Sequence, residues 1–160
     1  MDKIYQESVN NLIQNLSEVI GVVKGLSMNE PVWSEPKKMF KKVRGKNLYK
    51  MGIPARTNGV YRIIYTPTGE TMYIGRGNCV NGRISRHRKV FINKGKDIKN
   101  PGGTYLPSSA AQNMFKFDKY RKNWLFSWCE IGNTELSKMY EKFLIEAELP
   151  VFNDSNLGGI

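Results

Sequence analysis

Gly59-Val60-Tyr61-Arg62-Ile63-Ile64-Tyr65-Thr66-Pro67-Thr68-Gly69-Glu70-Thr71-Met72-Tyr73-Ile74-Gly75 is the stretch on which the fold of this chain turns. Its first half, to Thr66, is rich in β-branched and aromatic residues. Pro67-Thr68-Gly69 supplies turn chemistry, and Glu70 to Gly75 resumes an extended pattern, so a β-hairpin is predicted. Gly77, Asn78 and Gly82 then punctuate a loop before a helix expected from about Gly82 to Asn93. On that helix Arg83 and His87 are four apart, which puts both on one face, towards the strand carrying Tyr73.

Downstream, Lys94 to Pro107 contains Asn100-Pro101-Gly102-Gly103 and reads as an exposed loop. Ser108 or Ser109 can cap a helix through about Arg121, and Trp124 to Ile131 reads as a third strand. Thr134 opens the last helix, where Thr134-x-x-Ser137 is a weak cap. Leu136, Tyr140, Phe143, Leu144 and Ala147 form its apolar stripe, and Pro150 stops it. Upstream, Met1 to about Leu26 carries Ile4, Val9, Leu12, Ile13, Leu16, Val19, Ile20 and Val23 at helical spacing, with Asp2 as candidate N-cap. Pro31 and Pro36 bracket an irregular stretch. From Lys37 to Arg56 there are eight Lys or Arg and no acidic residue, a basic connector whose interleaved Trp33, Phe40 and Tyr49 can dock on a core while lysines face phosphate.

Charge narrows the partners. The 160 residues carry 25 Lys and Arg against 14 Asp and Glu, a formal net charge of +11, which favours polyanions over acidic small molecules, with nucleic acid ahead of a membrane surface. A second basic run, Arg76 to Lys99, holds eight Lys or Arg opposed only by Asp97. Apolar stretches are too short to span a bilayer and no signal-peptide pattern opens the chain, so a cytoplasmic protein is expected. Cys79 and Cys129 form no CxxC pair and the one histidine is isolated, which speaks against a disulfide framework or a thiolate zinc site. With 40% apolar residues, a division into a helical and basic extension over 1–56 and one folded domain over 57–160 is expected.

The two tyrosine motifs, Gly59-Val60-Tyr61 and Tyr73-Ile74-Gly75, together with Arg83 and His87 ten and fourteen residues after Tyr73, and Glu141 and Asn153 in Glu141-x-x-Leu144-Ile145-x-x-x-x-Pro150-x-Phe152-Asn153, resemble the active-site core of the GIY-YIG nuclease family. The resemblance spans roughly residues 57 to 153. Its only departure in the first motif is Val60 in place of isoleucine. It implies an α/β fold, a small three-stranded antiparallel sheet flanked by helices, and a metal-dependent endodeoxyribonuclease.

A phosphodiester hydrolase needs a deprotonated nucleophile, charge stabilisation around phosphorus and help for the departing oxygen. The resemblance gives these tasks to named residues. Glu141 would hold one Mg²⁺ or Mn²⁺, a hard ion that keeps several waters. Arg83 would grip non-bridging phosphate oxygens with its planar fork. Tyr61 is the candidate general base, as a phenolate whose pKa neighbouring cations lower. Tyr73 positions phosphate or relays a proton, and His87 relays a proton or orients Tyr61, with the choice of base between Tyr61 and His87 left open. Arg76, Arg83, Arg86 and Lys89 are candidate DNA phosphate contacts. Gly75 and Asn153 are expected to support the site, Asn153 by tying the chain after Pro150 to the sheet.

In layout the chain is similar to compact restriction enzymes and phage DNA-degrading members of that family, which implies action on double-stranded DNA in a bacterial or phage-infected cell. A single active site cuts one strand, so a double-strand cut would call for two protomers, and the N-terminal helix is a candidate interface between copies. The alternatives are a catalytically silent DNA-binding module and a structure-specific repair nickase.

Overall fold

The structure is a computed structural model that describes residues 10–11, 13–18, 20–21, 31–40, 53, 56–96, 98–99, 105–106 and 109–153, with the backbone alone for 98–99 and 105–106. Its elements are β1 (Lys37–Lys38), β2 (Gly59–Tyr65), β3 (Glu70–Gly77), α1 (Val80–Ile92), β4 (Ile98–Lys99), β5 (Tyr105–Leu106), α2 (Ser109–Phe117), a single 3₁₀ turn (Arg121–Asn123), β6 (Trp124–Glu130) and α3 (Thr134–Glu148). Helical residues also occur within 10–21. Candidate cap Asp2, the connector over 41–52, Tyr49, Asn100-Pro101-Gly102-Gly103 and Ser108 lie outside the described residues.

β2, β3 and β6 form an antiparallel sheet in the order β1-β6-β2-β3. The expected sheet of three strands gains a fourth, because Lys37 and Lys38 pair with Phe126 and Leu125 of β6. This short strand carries the start of the basic connector onto the core. Met39 is fully buried behind it, and the Phe40 ring lies 5.0 Å from Phe91. The expected 94–107 loop also contains a two-residue ladder, β4 with β5.

Strand alternation sorts the side chains onto two faces. Tyr61 and Ile63 of β2 join Trp124, Phe126 and Trp128 of β6 and Val80, Ile84, Val90 and Phe91 of α1 in one cluster. Val60 and Ile74 join Cys129, Tyr140 and Leu144 in another, under α3. Helices therefore cover both faces, α1 and α2 on one and α3 on the other. Burial also raises the Cys129 thiol to about 11, so it packs as an inert apolar group.

Helix ends explain where sequence expectations moved. α1 begins at Val80, two residues before the expected start, because the Cys79 sulfur accepts the Gly82 amide at 3.4 Å and serves as the N-cap. Thus Gly77 closes β3 and Gly82 lies in the first helical turn. α2 stops at Phe117, short of Arg121. Asp118 there accepts from the Tyr120 amide, Asn123 Nδ2 and Tyr65 Oη at 2.7, 2.7 and 2.9 Å. Burial works against its charge, yet these donors hold its carboxyl below the usual range. α3 starts at Thr134 as expected, but its cap is Asn133, whose side chain accepts from the amides of Glu135 and Leu136. Of the expected α3 stripe, Tyr140 and Leu144 are buried, whereas Phe143 and Ala147 face outward. Leu149 ends the helix in the left-handed region at φ 47° before Pro150.

The N-terminal helix meets α3 through a Glu18–Lys142 ion pair at 2.6 Å and the close approach of Gly21 to Met139. Its Ile13, Leu16 and Ile20 remain more than half exposed. Among the described residues no helix is long and apolar enough to cross a membrane.

Candidate active site

Gly75 sets the geometry of the site. It pairs with Tyr61 across β2 and β3, and a Cβ there would lie 2.6 Å from the Tyr61 Cζ and Oη and 2.8 Å from Tyr73 Cε1. Only a residue without a side chain lets the two phenols converge over this point. Their ring centroids are 6.1 Å apart. His87, delivered by the inner face of α1, completes the group: its ring lies 5.8 Å from Tyr61 and 5.2 Å from Tyr73, and Nε2 is 2.9 Å from the Tyr61 hydroxyl.

Arg83 sits one helical turn before His87, exposed, with its stem across Gly77, where an added Cβ would be 2.9 Å from Arg83 Cγ. Tyr61, Tyr73, Arg83, Arg86 and His87 line a cleft of about 110 Å³ together with Ser109 and Ala110 at the start of α2. Two of the proposed phosphate contacts, Arg83 and Arg86, are thus at the cleft. Lys89 is exposed and does not line it. Ser109 was read from sequence only as a helix cap. No local signal placed it here, because α2 reaches the cleft by packing on α1.

Glu141 approaches from the other face. Register puts Arg76 opposite Val60, on the α3 side of β3, and Arg76 Nε lies 3.0 Å from Glu141 Oε2. Arg76 therefore engages a carboxylate in this structure, not open solvent. The Nε–H is not aligned on an acceptor, so the contact is a charge pair more than a directed hydrogen bond. Both residues line a cavity of about 660 Å³ between α3 and the N-terminal helix, with Asn15, Glu18 and Lys142. Glu141 is near enough to act on both phenols by charge, and Arg83 acts on Glu141 likewise. The two halves of the site meet around the β3 edge.

Electrostatics revise two sequence expectations. Burial pushes the Tyr61 phenol well above its ordinary value. Tyr73 and Glu141 push the same way, and Arg83 only partly opposes them. A resting phenolate at Tyr61 is thus disfavoured. Burial, reinforced by Arg86 and Arg83, lowers His87 to about 3. The imidazole is therefore neutral at physiological pH instead of poised between two charge states. Its Nδ1 is buried without a hydrogen-bond partner among the described residues. Burial also raises Tyr73 and Glu141, with Arg76 opposing the shift at Glu141.

Asn153 acts as a clamp on the sheet edge. Its Nδ2 donates to the Ile74 carbonyl and its Oδ1 accepts from the Ile74 amide, both at 2.6 Å, while the Phe152 amide donates to the Met72 carbonyl at 2.9 Å. β3 is an edge strand, and these bonds satisfy its outward backbone groups beside Tyr73 and Gly75.

Among the described residues no group of three or more His, Cys, Asp or Glu converges, and Glu141 is the carboxylate that would hold an ion beside the phenols. That fits Mg²⁺ or Mn²⁺, which bind through one or two carboxylates and complete their shell with waters and substrate phosphates. It does not fit a structural zinc ion. The chain matches no protein-family model, and no curated protein matches it.

Proposed function

We propose that this protein is a metal-dependent DNA endonuclease of the GIY-YIG type, compact and restriction-like or phage DNA-degrading in layout. The observation that carries the reading is the meeting of Tyr61, Tyr73, His87 and Arg83, drawn from three separate elements, at one cleft beside Gly75, with Glu141 near enough from the other face of β3 to act on both phenols by charge. A packing role for the tyrosines would not bring two arginines and a buried imidazole nitrogen, without a partner among the described residues, to the same cleft.

In this reading Arg83 and Arg86 draw a phosphate into the cleft and offset charge as it builds on the non-bridging oxygens. Tyr61 takes the proton of the attacking water as its own passes to Nε2 of neutral His87, 2.9 Å away. As the water oxygen bonds to phosphorus, the P–O bond to the departing oxygen breaks. A relay leaves no buried phenolate standing between turnovers, and because burial, Arg86 and Arg83 also disfavour the His87 imidazolium, that proton passes on to the departing oxygen. Tyr73, whose ring packs against Tyr61 at 6.1 Å, holds the phenol in line. Glu141 would hold the divalent ion, which when bound would supply Lewis-acid stabilisation of the phosphate oxygens. The net charge of +11 and the two basic runs supply affinity for the duplex backbone.

The test is cleavage of supercoiled plasmid with Mg²⁺, with EDTA, and by Glu141→Ala. The proposal expects nicked, linear or fragmented products that vanish in both controls. Discrete fragments assign sequence specificity and a smear assigns loose specificity. Plasmid that is retarded on the gel yet uncut overturns the enzyme reading in favour of a binding module, whose Glu141 serves only to pair Arg76.

A further inference from the structure

We infer that Arg76 is an internal counter-ion that occupies the Glu141 carboxylate until metal and a DNA phosphate arrive together, so that one side chain couples metal binding to substrate binding. The inference rests on the nuclease reading and adds to it a regulatory element of the same site.

The starting point is the Arg76–Glu141 contact at 3.0 Å. Glu141 is the carboxylate that acts on both phenols by charge, and Arg76 is its ion-pair partner. A divalent ion on the same carboxylate carries the same sign as the guanidinium, so the two repel at close range and do not share the site without cost. One must leave. The geometry favours exchange over a permanent bridge. The Nε–H is misaligned, the two side chains are 32% and 23% exposed, and both border the roomy cavity of about 660 Å³. A half-buried pair without an aligned hydrogen bond holds less firmly than a directed one. By contrast, the Arg62–Glu148 pair on the same sheet face is fixed by stacking of Arg62 over the Trp33 ring at 4.0 Å.

A displaced guanidinium needs another anion. Arg76 follows Gly75 directly, on the strand beside both halves of the site; Glu18, Glu135 and Glu146 share its cavity, but a phosphate held by Arg83 is the anion that substrate binding adds. The exchange then runs in one direction: phosphate takes Arg76, Glu141 is freed, and the ion takes Glu141. By linkage each partner must tighten the other by the same factor. In the absence of DNA the carboxylate stays covered and the metal site is weak, which limits metal loading of the free protein.

The experiment is Mn²⁺ titration of the full chain followed by loss of the free-ion EPR signal, without and with a short duplex in a Tyr61→Phe background that holds the duplex uncut. Arg76→Gln should bind Mn²⁺ at least tenfold more tightly than wild-type Arg76 in the absence of DNA. The duplex should tighten Mn²⁺ binding severalfold with Arg76 and leave it nearly unchanged with Gln. Arg76→Lys, which keeps the charge, should bind free Mn²⁺ as weakly as wild type, and thermal melts confirm that each variant is folded. Equal or weaker Mn²⁺ binding by a folded Arg76→Gln overturns the exchange while leaving the nuclease reading intact. Mn²⁺ binding that Glu141→Gln leaves unaltered overturns the metal assignment itself.

Discussion

Gly75→Ala should destabilise the fold by forcing the two phenols away from the strand, and its cost can be worked from contacts. The new Cβ would sit 2.6 Å from Tyr61 Cζ and Oη and 2.8 Å from Tyr73 Cε1, so ring and backbone must separate by roughly 0.8 Å to reach ordinary contact at 3.4 Å. Tyr61 is 1% exposed, packed on one side by the α1 cluster and tied to His87 Nε2 at 2.9 Å. It has nowhere to retreat. Overpacking a core by one methyl costs about 1–3 kcal/mol, and breaking a buried hydrogen bond about 1–3 kcal/mol more. Alanine's smaller conformational entropy loss in a strand offsets about 0.5–1 kcal/mol of this. The net expectation is a loss of about 3 kcal/mol, which at a urea slope of about 2 kcal/mol/M lowers the midpoint by about 1.5 M. Gly132→Ala is the internal control, since a Cβ there meets nothing within 4 Å; it should stay within about 0.5 kcal/mol of wild type. The assay is urea unfolding of the three proteins followed by tryptophan fluorescence. Indistinguishable midpoints for Gly75→Ala and Gly132→Ala would refute the argument that this glycine is required for the phenols to converge.

Asn153→Ala removes both bonds to the Ile74 backbone and leaves those edge groups to water. A loss of about 1–2 kcal/mol, with faster amide exchange at Ile74 than at Arg62 of the central strand, is expected by hydrogen-exchange NMR. For His87 the folded pKa of about 3 lies below the ordinary 6.5, so its neutral form stabilises the fold fully above pH 6.5, and that stability is lost as pH falls towards 3 while the unfolded chain takes up the proton. From pH 6.5 to 5 the loss from this residue alone is about 2 kcal/mol. Urea melts across that range should show a steeper fall for wild type than for His87→Gln, and parallel curves would reject a neutral buried imidazole. Leu149 sits at φ 47°, 78% exposed, as the C-cap of α3. Leu149→Gly should raise stability by about 0.5–1 kcal/mol, a Tm gain of about 2–4 °C by calorimetry, and an unchanged or lower Tm would count against strain there.

The hairpin, the helix carrying Arg83 and His87, the third long strand and the last helix were all legible in the sequence. Each is written in local signals: alternation around Tyr61 and Tyr73, a turn at Pro67-Thr68-Gly69, four-residue spacing on α1, and an apolar stripe stopped by Pro150. The gathering of candidate residues was legible too, through motif order. Tyr61, Tyr73 and His87 do touch, and Asn153 does tie the chain end to β3.

What the sequence could not specify depends on groups far apart in the chain. Strand β1 exists because Lys37 and Lys38 find the free edge of β6 nearly ninety residues away, and two lysines carry no strand pattern of their own. The Cys79 cap carries no sequence signature, because sulfur is an unusual acceptor for a helix start. Protonation followed burial. The types of residue in the site suggested a phenolate and a titrating imidazole, whereas packing α1 on the sheet dehydrated both groups and held them neutral. Arg76 and Glu141, read separately as a phosphate contact and a metal ligand, became a pair only when the register of β3 turned Arg76 towards α3. Local pattern chooses elements and residue types, since those depend on neighbours within a turn or two. Charge state and pairing depend on which surfaces the tertiary fold buries against each other, and no window of sequence contains that.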